Sequence, residues 1–265
     1  MSTILDTIIA SKRLEIEKFK PKSPVDRFER DGFFWKFTTR SLRASLEAPG
    51  STGIIAEFKR KSPSKGWFKP KELEVEKVLR AYNDFGAAAA SVLTDEPFFG
   101  GDLDDLIQAK VISDIPILRK DFIVDPWQIA EARAFGADVI LLIAACLTPA
   151  EVKSLAEYAK SLELSVLLEL HDEEELGHIC DATDIIGINN RNLKTFEVDI
   201  ERSLRMAKQI PDSKIKVAES GISDIDTIKR FRDEGFKGFL IGENFMKEPD
   251  PGEAFKAFVE KLKVS

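Results

Sequence analysis

The chain has 265 residues, of which 43% are hydrophobic and 32% charged, and a formal net charge of -7 at neutral pH. These proportions lie outside the disordered range, and the length is one that an α/β barrel reaches as a single domain. The acidic balance argues against a nucleic-acid or anionic-membrane surface as the main partner, yet leaves room for a small anionic substrate in a locally basic cleft.

The first stretch, Met1 to Phe19, has no basic opening and meets Asp6 early, so it does not read as a secretory signal. It reads as an amphipathic helix on Ile4, Leu5, Ile8, Ile9, Ile16 and Phe19, opened by Thr3 with Asp6 three residues on. Pro21 and Pro24 then break the pattern, and an aromatic cluster follows at Phe33, Phe34, Trp35 and Phe37. That cluster suits packing against one end of a barrel; a lid over an active site is the sharper alternative. Residues 1–50 are therefore expected to form a helical extension packed on a domain of residues 51–265.

From residue 51 a rhythm sets in. Short aliphatic runs occur at Ile54–Lys59, Ala88–Thr94, Pro116–Phe122, Val139–Ala145, Ser165–Leu170, Ile185–Asn190, Lys216–Ser220 and Gly238–Ile241. Amphipathic stretches separate them, such as Pro149–Ser161 with Val152, Leu155, Ala156 and Ala159 on one face. Strand-then-helix alternation implies right-handed crossovers and a parallel sheet, and eight units favour closure as a (β/α)₈ TIM barrel. Phe85-Gly86-Ala87 and Phe135-Gly136-Ala137 recur in the same context, and Glu234-Gly235-Phe236 precedes the last run; glycine there suits the left-handed residue that closes a helix. The longest apolar run, Val139 to Leu147, is about half of what a membrane span needs and reads as a buried strand. Cys146 and Cys180 lack metal-ligand spacing and are expected to be reduced thiols. The chain is expected to be cytoplasmic, a monomer or weak oligomer, with no membrane or nucleic-acid partner.

Residues two apart in a strand face the same side, and in a barrel the inward positions at the C-terminal strand ends converge on one mouth. The first run places Ile55, Glu57 and Lys59 on one face, the third Leu118, Lys120 and Phe122, and the fifth Leu167 and Glu169. The sixth ends in Asn189 and Arg191, the seventh in Glu219, Ser220 and Gly221, the eighth in Gly242, Glu243 and Asn244. Any one of these fits a solvated strand end or a structural ion pair. Two lysines, three carboxylates and an arginine spread over five strands of one barrel fit a site for acid–base work, since buried lysines and glutamates perturb one another's protonation. Glycines after the last two strands, in Ser220-Gly221-Ile222-Ser223 and Gly242-Glu243-Asn244, suit a phosphate held by backbone N–H groups, with Ser62 closing the ring from beside the eighth strand. His171 reads as a helix start more readily than as a base, and His178 as a surface residue of the helix that follows. No metal-ligand spacing and no dinucleotide-binding glycine pattern is present, so neither a metal nor a cofactor is expected.

Ile54-Ile55-Ala56-Glu57-Phe58-Lys59-Arg60-Lys61-Ser62-Pro63-Ser64, Leu118-Arg119-Lys120-Asp121-Phe122, Gly187-Ile188-Asn189-Asn190-Arg191-Asn192-Leu193 and Ala218-Glu219-Ser220-Gly221-Ile222 resemble the indole-3-glycerol-phosphate synthase family of tryptophan biosynthesis. Phe98-Phe99-Gly100-Gly101, Leu168-Glu169 and Leu240-Ile241-Gly242-Glu243 extend the resemblance over essentially the whole chain. It implies a carboxy-lyase that closes the indole ring of a phosphorylated substrate without a cofactor. Lys120, Glu169, Lys59, Glu57 and Asn189 would be its catalytic set. Arg191, Glu219, Ser220, Phe99 and Phe122 would bind the rest of the substrate, and Ser62, Gly221, Gly242 and Glu243 its phosphate. A sugar-phosphate isomerase of the same barrel type leaves Lys120 and the Glu57/Lys59 pair without a task. A metabolite-binding barrel with no turnover leaves all the strand-end charges unexplained.

Overall fold

The structure is a computed structural model that describes residues 3–192 and 197–264. Eight parallel strands close on themselves: β1 (Ile54–Phe58), β2 (Ala89–Leu93), β3 (Ile117–Lys120), β4 (Val139–Ile143), β5 (Ser165–Leu170), β6 (Ile185–Asn189), β7 (Ile215–Glu219) and β8 (Phe236–Ile241). β8 pairs with β1, Ile54 standing opposite Phe239 and Ile55 opposite Leu240. This is the TIM barrel expected from the alternation. The expected runs differ from the strands only at their ends, where the ladder gives way to loops. Lys59, Thr94 and Asn190 fall just past their strands, and β8 begins at Phe236, ahead of Gly238, where its register against β7 shifts. Leu193, the last residue of the sixth-strand motif, lies outside the described residues.

The period-two pattern sorts each strand into two cores. Ile55, Leu118, Leu141, Leu167, Ile185, Val217 and Leu240 fill the barrel interior, which Leu42 and Leu46 of a short helix (Leu42–Glu47) close at the strand starts. Ile54, Ala56, Val92, Ile140, Val166 and Ile186 point outward to the surrounding helices. Burying both faces is what makes the strands read as unbroken aliphatic runs. Gly86, Gly136 and Gly235 take φ values of 90°, 95° and 84° after their helices, the left-handed turn expected from their sequence context.

Ahead of the barrel lie α1 (Ile4–Phe19) and α2 (Val25–Asp31). The predicted capping box forms: Asp6 N–H donates to Thr3 Oγ1 at 3.2 Å, and Thr3 N–H to Asp6 Oδ2 at 2.7 Å. α1 buries Ile8, Lys12 and Ile16, spaced four apart and so on one stripe. Lys12, only 2% exposed, sends its ammonium to Asp95 at 3.2 Å, Asp121 at 3.1 Å and Glu15 at 2.8 Å. Asp121 also accepts from Thr94 Oγ1 at 2.6 Å and from Arg119 at 3.0 Å, and Arg119 reaches Glu131 at 2.9 Å. The extension is thus fastened to the ends of β2 and β3 by buried charge as well as by apolar contact.

Of the two readings of the aromatic cluster, packing against one end of the barrel holds and the lid does not, and one further expectation, that for His178, is corrected. The aromatic cluster is not a lid: Phe34 is buried, and the carbonyls of Phe34, Trp35 and Phe37 accept from Arg133 at 2.6–2.9 Å. Just beyond it, Arg40 N–H donates at 2.7 Å to Asp138, the residue that precedes β4, so this segment packs at the strand starts, opposite the mouth. His178 is not a surface residue in mid-helix either. The segment after β5 is a 3₁₀ helix (Glu173–His178), and the His178 ring is half-buried with Nδ1 and Nε2 each 2.9 Å from the carbonyl oxygens of Glu175 and Leu147. Asp172 accepts from the very next amide, Glu173, where an α-helical cap reaches the second or third residue on.

Replacing Lys12 by alanine strands Asp95 and Asp121 as buried, under-compensated carboxylates, at a cost of about 3–5 kcal/mol. Urea denaturation at neutral pH reads that cost directly, and a loss below about 1 kcal/mol contradicts the anchor. Asp121 is held below the usual carboxylate range: burial opposes its charge, but the Lys12 and Arg119 cations and the Thr94 hydroxyl outweigh it. Its contribution is therefore complete above the unfolded carboxylate value of about 3.9 and fades as pH falls below that, so the gap between wild type and variant narrows in acid.

Candidate active site

The strand parity that fills the barrel interior also aims the charged strand ends at one place. A cavity of about 370 Å³ opens at the C-terminal mouth, lined by Glu57 and Lys59 from β1, Lys120 from β3, Glu169 from β5, Asn189 and Arg191 from β6, and Glu219 from β7. Glu169 is at its centre. Oε2 accepts from Lys120 Nζ at 3.1 Å and Oε1 from Asn189 Nδ2 at 3.0 Å. Across the mouth, Lys59 Nζ donates to Glu57 Oε1 at 2.6 Å. Asn189 Oδ1 in turn accepts from the Arg191 amide at 3.0 Å, which locks the carboxamide with its NH₂ toward Glu169.

Burial on this scale sets proton occupancy. Desolvation works against the Lys120 ammonium, but neighbouring carboxylate charge, that of Glu169 foremost, outweighs it and holds Lys120 protonated, well above the ordinary lysine value. Glu169 and Glu219 divide the opposite way. Burial would raise both; the Lys120 cation pulls Glu169 well below the carboxylate range, while the neighbouring charge of Glu169 adds to burial and pushes Glu219 well above it. The site thus holds an ammonium, a carboxylate and a neutral carboxyl within one cavity. Gly187 makes that pair possible, since a Cβ there falls on Glu219 Oε1 and within 3.3 Å of Leu167 Cδ1.

On the β7–β8 side the wall is backbone. Ser220 and Gly221 both take left-handed conformations, φ 66° and 69°, and turn the chain sharply at the end of β7. Ser220 is a non-glycine residue in that region, held there with its carbonyl accepting from Asn190 Nδ2 at 2.7 Å. Gly242 follows β8, where its missing side chain lets Glu57 approach: a Cβ would come within 2.9 Å of Glu57 Cβ. Asn244 Nδ2 donates to the Ser223 carbonyl at 3.3 Å and ties the two loops together. Phe99 and Phe122 form the apolar wall, ring centroids 5.9 Å apart and tilted by 33°.

Every site residue singled out in the sequence lines this cavity except Ser62. Ser62 lies on a small hairpin (Lys61–Ser62 against Gly66–Trp67) and lines a neighbouring apolar cavity of about 310 Å³ under α1. The two cavities meet at Leu5, Lys59, Phe99, Phe122, Arg191 and Glu243. The side chain of Glu243 reaches outward to Lys65 at 2.5 Å and Arg191 at 3.7 Å. Leu5, His171 and Lys247 of the cavity lining were missed or undervalued in the sequence, Lys247 with no signal to mark it. Leu5 comes from α1, and only its place on the helix's apolar stripe marked it. His171 was read as a helix start; it is 7% exposed, lines the cavity and puts Nε2 2.9 Å from Glu169 Oε1.

A closed parallel barrel with buried, oppositely charged acid–base groups and a backbone-lined seat at its strand mouth defines a class: the TIM-barrel enzymes that act on small anionic substrates. The indole-3-glycerol phosphate synthase family profile matches residues 5–258. A curated relative of that name from Bacteroides thetaiotaomicron is 48% identical over 262 residues, covering 99% of this chain and all of the relative. Others of the same name, from Polaromonas naphthalenivorans and Koribacter versatilis, are 45% and 43% identical and cover 96% and 98% of the chain. The chain belongs to the indole-3-glycerol phosphate synthase family. Solved structures of tryptophan synthase α-subunit and thiamine phosphate pyrophosphorylase from Pyrococcus furiosus share the fold alone, with TM-scores of 0.62 and 0.59, 19% and 17% identity, and coverage of 80% and 84% of this chain and 98% and 99% of theirs.

Gly187→Ala is expected to fold with a loss of about 1–3 kcal/mol and to swing Glu219 away from Glu169. A urea midpoint equal to wild type, with Glu219 in place in a crystal structure of the variant, contradicts the close approach described above.

Proposed function

We propose that this chain converts 1-(2-carboxyphenylamino)-1-deoxyribulose 5-phosphate to indole-3-glycerol phosphate, releasing carbon dioxide and water. One observation carries the reading: Lys120 Nζ and Glu169 Oε2 lie 3.1 Å apart in a cavity whose other wall is the backbone of the loops after β7 and β8. The same chemistry accounts for the other strand-end groups.

In this reading the aryl carbon that bears the carboxylate attacks the substrate ketone, and the Lys120 ammonium donates its proton to the developing alkoxide. Carbon dioxide leaves and the aryl ring regains its aromaticity. The new hydroxyl then departs as water with a proton from the Lys59 ammonium, which Glu57 orients, while Glu169 takes the proton from the adjacent ring carbon. Lys120, held protonated, and Glu169, held ionised, suit the tasks given to them, and proton transfer by placed groups of this kind contributes about 10²–10⁴ in rate apiece. Asn189 fixes Glu169, and Arg191, Glu219 and Ser220 hold the substrate's hydroxyls and carboxylate. Phe99 and Phe122 flank its ring. Backbone N–H groups at Gly221, Gly242 and Glu243 hold the phosphate, with Ser62 reaching it from the hairpin side of the seam between the two cavities.

The chain works as one unit in this reading, residues 1–50 serving as a helical extension of the barrel of residues 51–265. Among the described residues no helix is long and apolar enough to cross a membrane. A cytoplasmic monomer or weak oligomer acting on a small phosphorylated substrate fits the chemistry.

The test is turnover of the carboxyphenylamino-deoxyribulose phosphate by purified protein with no metal added, followed by indole fluorescence and carbon dioxide release. Lys120→Ala and Glu169→Gln should each lower kcat by about 10²–10⁴ with a much smaller change in KM. Near-full kcat in Lys120→Ala removes its assigned role, and wild-type protein that releases no carbon dioxide removes the whole reading.

A further inference from the structure

The mechanism above leaves one buried titratable group idle. His171 follows β5 directly and is 7% exposed. Its Nε2 is 2.9 Å from Glu169 Oε1 and its Nδ1 3.8 Å from Glu175 Oε2. Neither ring nitrogen has a well-directed hydrogen bond. The backbone is fastened instead: the His171 amide donates to Glu175 Oε2 at 2.6 Å, which pins the residue between the two carboxylates. A purely structural histidine in a core is held by its ring, as His178 is by two carbonyl oxygens at 2.9 Å. His171 is held by its backbone while its ring abuts a catalytic carboxylate.

We propose that His171 is a positioning residue for the reaction, an imidazolium that keeps Glu169 ionised and oriented as the proton acceptor. It acts from the side opposite Lys120. Glu169 Oε2 faces the ammonium of Lys120, and Oε1 is shared between Asn189 and the His171 ring. Lys120 has its own task in the ring closure, giving its proton to the substrate's oxygen. At that moment Glu169 loses its principal counter-charge, and a second cation that makes no contact with the ketone keeps the carboxylate from taking a proton too early. The protonation state that this requires agrees with the surroundings. Burial opposes the charged ring, but Glu169 and Glu175 outweigh it and raise His171 to about 9.

The groups facing this pair come from every neighbouring element. They are Lys120 from β3, Glu219 from β7, Glu57 from β1 acting through Lys120, and Glu175 from the 3₁₀ helix. Cys146, after β4, is pushed up to about 12 by burial and then by Glu169 and Glu175, with Arg13 of α1 opposing, so it stays neutral through the working range. The signs follow. Removing the imidazolium raises the proton affinity of Glu169, so the acid limb of the pH profile moves to higher pH. Above about 9 the wild-type ring itself loses its proton, and the alkaline limb this creates disappears in a variant without it.

The proposal rests on the synthase reading for its kinetic arm only. His171→Asn and His171→Gln keep a polar side chain without the charge. Each is expected to lower kcat about tenfold or more, with KM within about twofold, and to shift the acid limb upward by about one pH unit. A wild-type kcat with an unmoved acid limb in both variants overturns the proposal, as does a loss confined to KM. The second arm needs no turnover and no folded His171 variant. The chain contains two histidines, so ring resonances in an NMR titration of the wild-type protein are resolved by comparison with His178→Gln. His171 should remain an imidazolium through neutral pH and titrate lower in Glu169→Gln. A ring that is neutral at pH 7 in the wild type, or insensitive to Glu169→Gln, sinks the idea whether or not the protein makes an indole.

Discussion

The site depends on one constraint: closing eight parallel strands forces their C-terminal ends to share a small, poorly solvated volume. A lysine or glutamate on an open sheet edge keeps its water and its ordinary proton affinity. Here Glu57, Glu169 and Glu219 are buried around a half-buried Lys120, and the groups must compensate one another. Glu57 has the Lys59 ammonium as its partner, so Glu169 and Glu219 are left to share Lys120, and burial and the charge of Glu169 push Glu219 well above the carboxylate range. That division produces a donor and an acceptor in the same cavity at the same pH, which is the condition acid–base chemistry requires.

β3 shows how compactly this is written. In Leu118-Arg119-Lys120-Asp121-Phe122, alternate side chains leave opposite faces of the sheet. Lys120 and Phe122 point into the mouth. Arg119 and Asp121 point away from it and build a second buried charge network, with Thr94, Glu131 and the incoming Lys12 of α1. The outer network makes no contact with Glu169, yet it determines where β3 ends and therefore where the Lys120 ammonium sits. It also fastens α1, which carries Leu5 to the wall of the cavity. Five consecutive residues thus join the anchor of the extension to the lysine at the mouth. This double use explains why so charged a stretch can stand in the centre of a barrel at all: every charge on either face has a partner.

What could be read in the sequence was whatever depends on periodicity. The eight aliphatic runs, their parity and the convergence of strand ends all follow from a repeat of two within a repeat of strand and helix, and the structure has each of them. Long-range pairing of polar groups was not legible. Lys12 falls on the buried stripe of α1, between Ile8 and Ile16, but a lysine in that position reads as a gap in the stripe until Asp95 and Asp121, more than eighty residues away, are known to meet it. His178 was misplaced for the same reason, because its partner is the carbonyl of Leu147 in another loop. Ser62 was put beside the eighth strand by simple adjacency of strand ends, whereas the intervening hairpin carries it to the neighbouring cavity.

The aromatic segment makes the complementary point about which end of a barrel does what. Phe33, Phe34, Trp35 and Phe37 suit either packing against one end of the barrel or a lid, and their place at the strand starts makes them packing. The short helix after them plugs the interior with Leu42 and Leu46, and Arg40 and Lys110 cap the buried Asp138 ahead of β4. Among the described residues, no buried side-chain polar atom at that end lacks a hydrogen-bond partner. At the mouth the pairing is looser: Glu219 Oε1 and Arg191 Nε are buried without a hydrogen-bond partner, and the His171 ring faces Glu169 Oε1 at 2.9 Å without a well-directed bond. Buried polar atoms left unpaired cost free energy that a fold selected for stability alone would remove. Their concentration around Glu169, on a scaffold that pairs such atoms at its other end, sets the mouth apart as the end of the barrel where polar groups are held under strain.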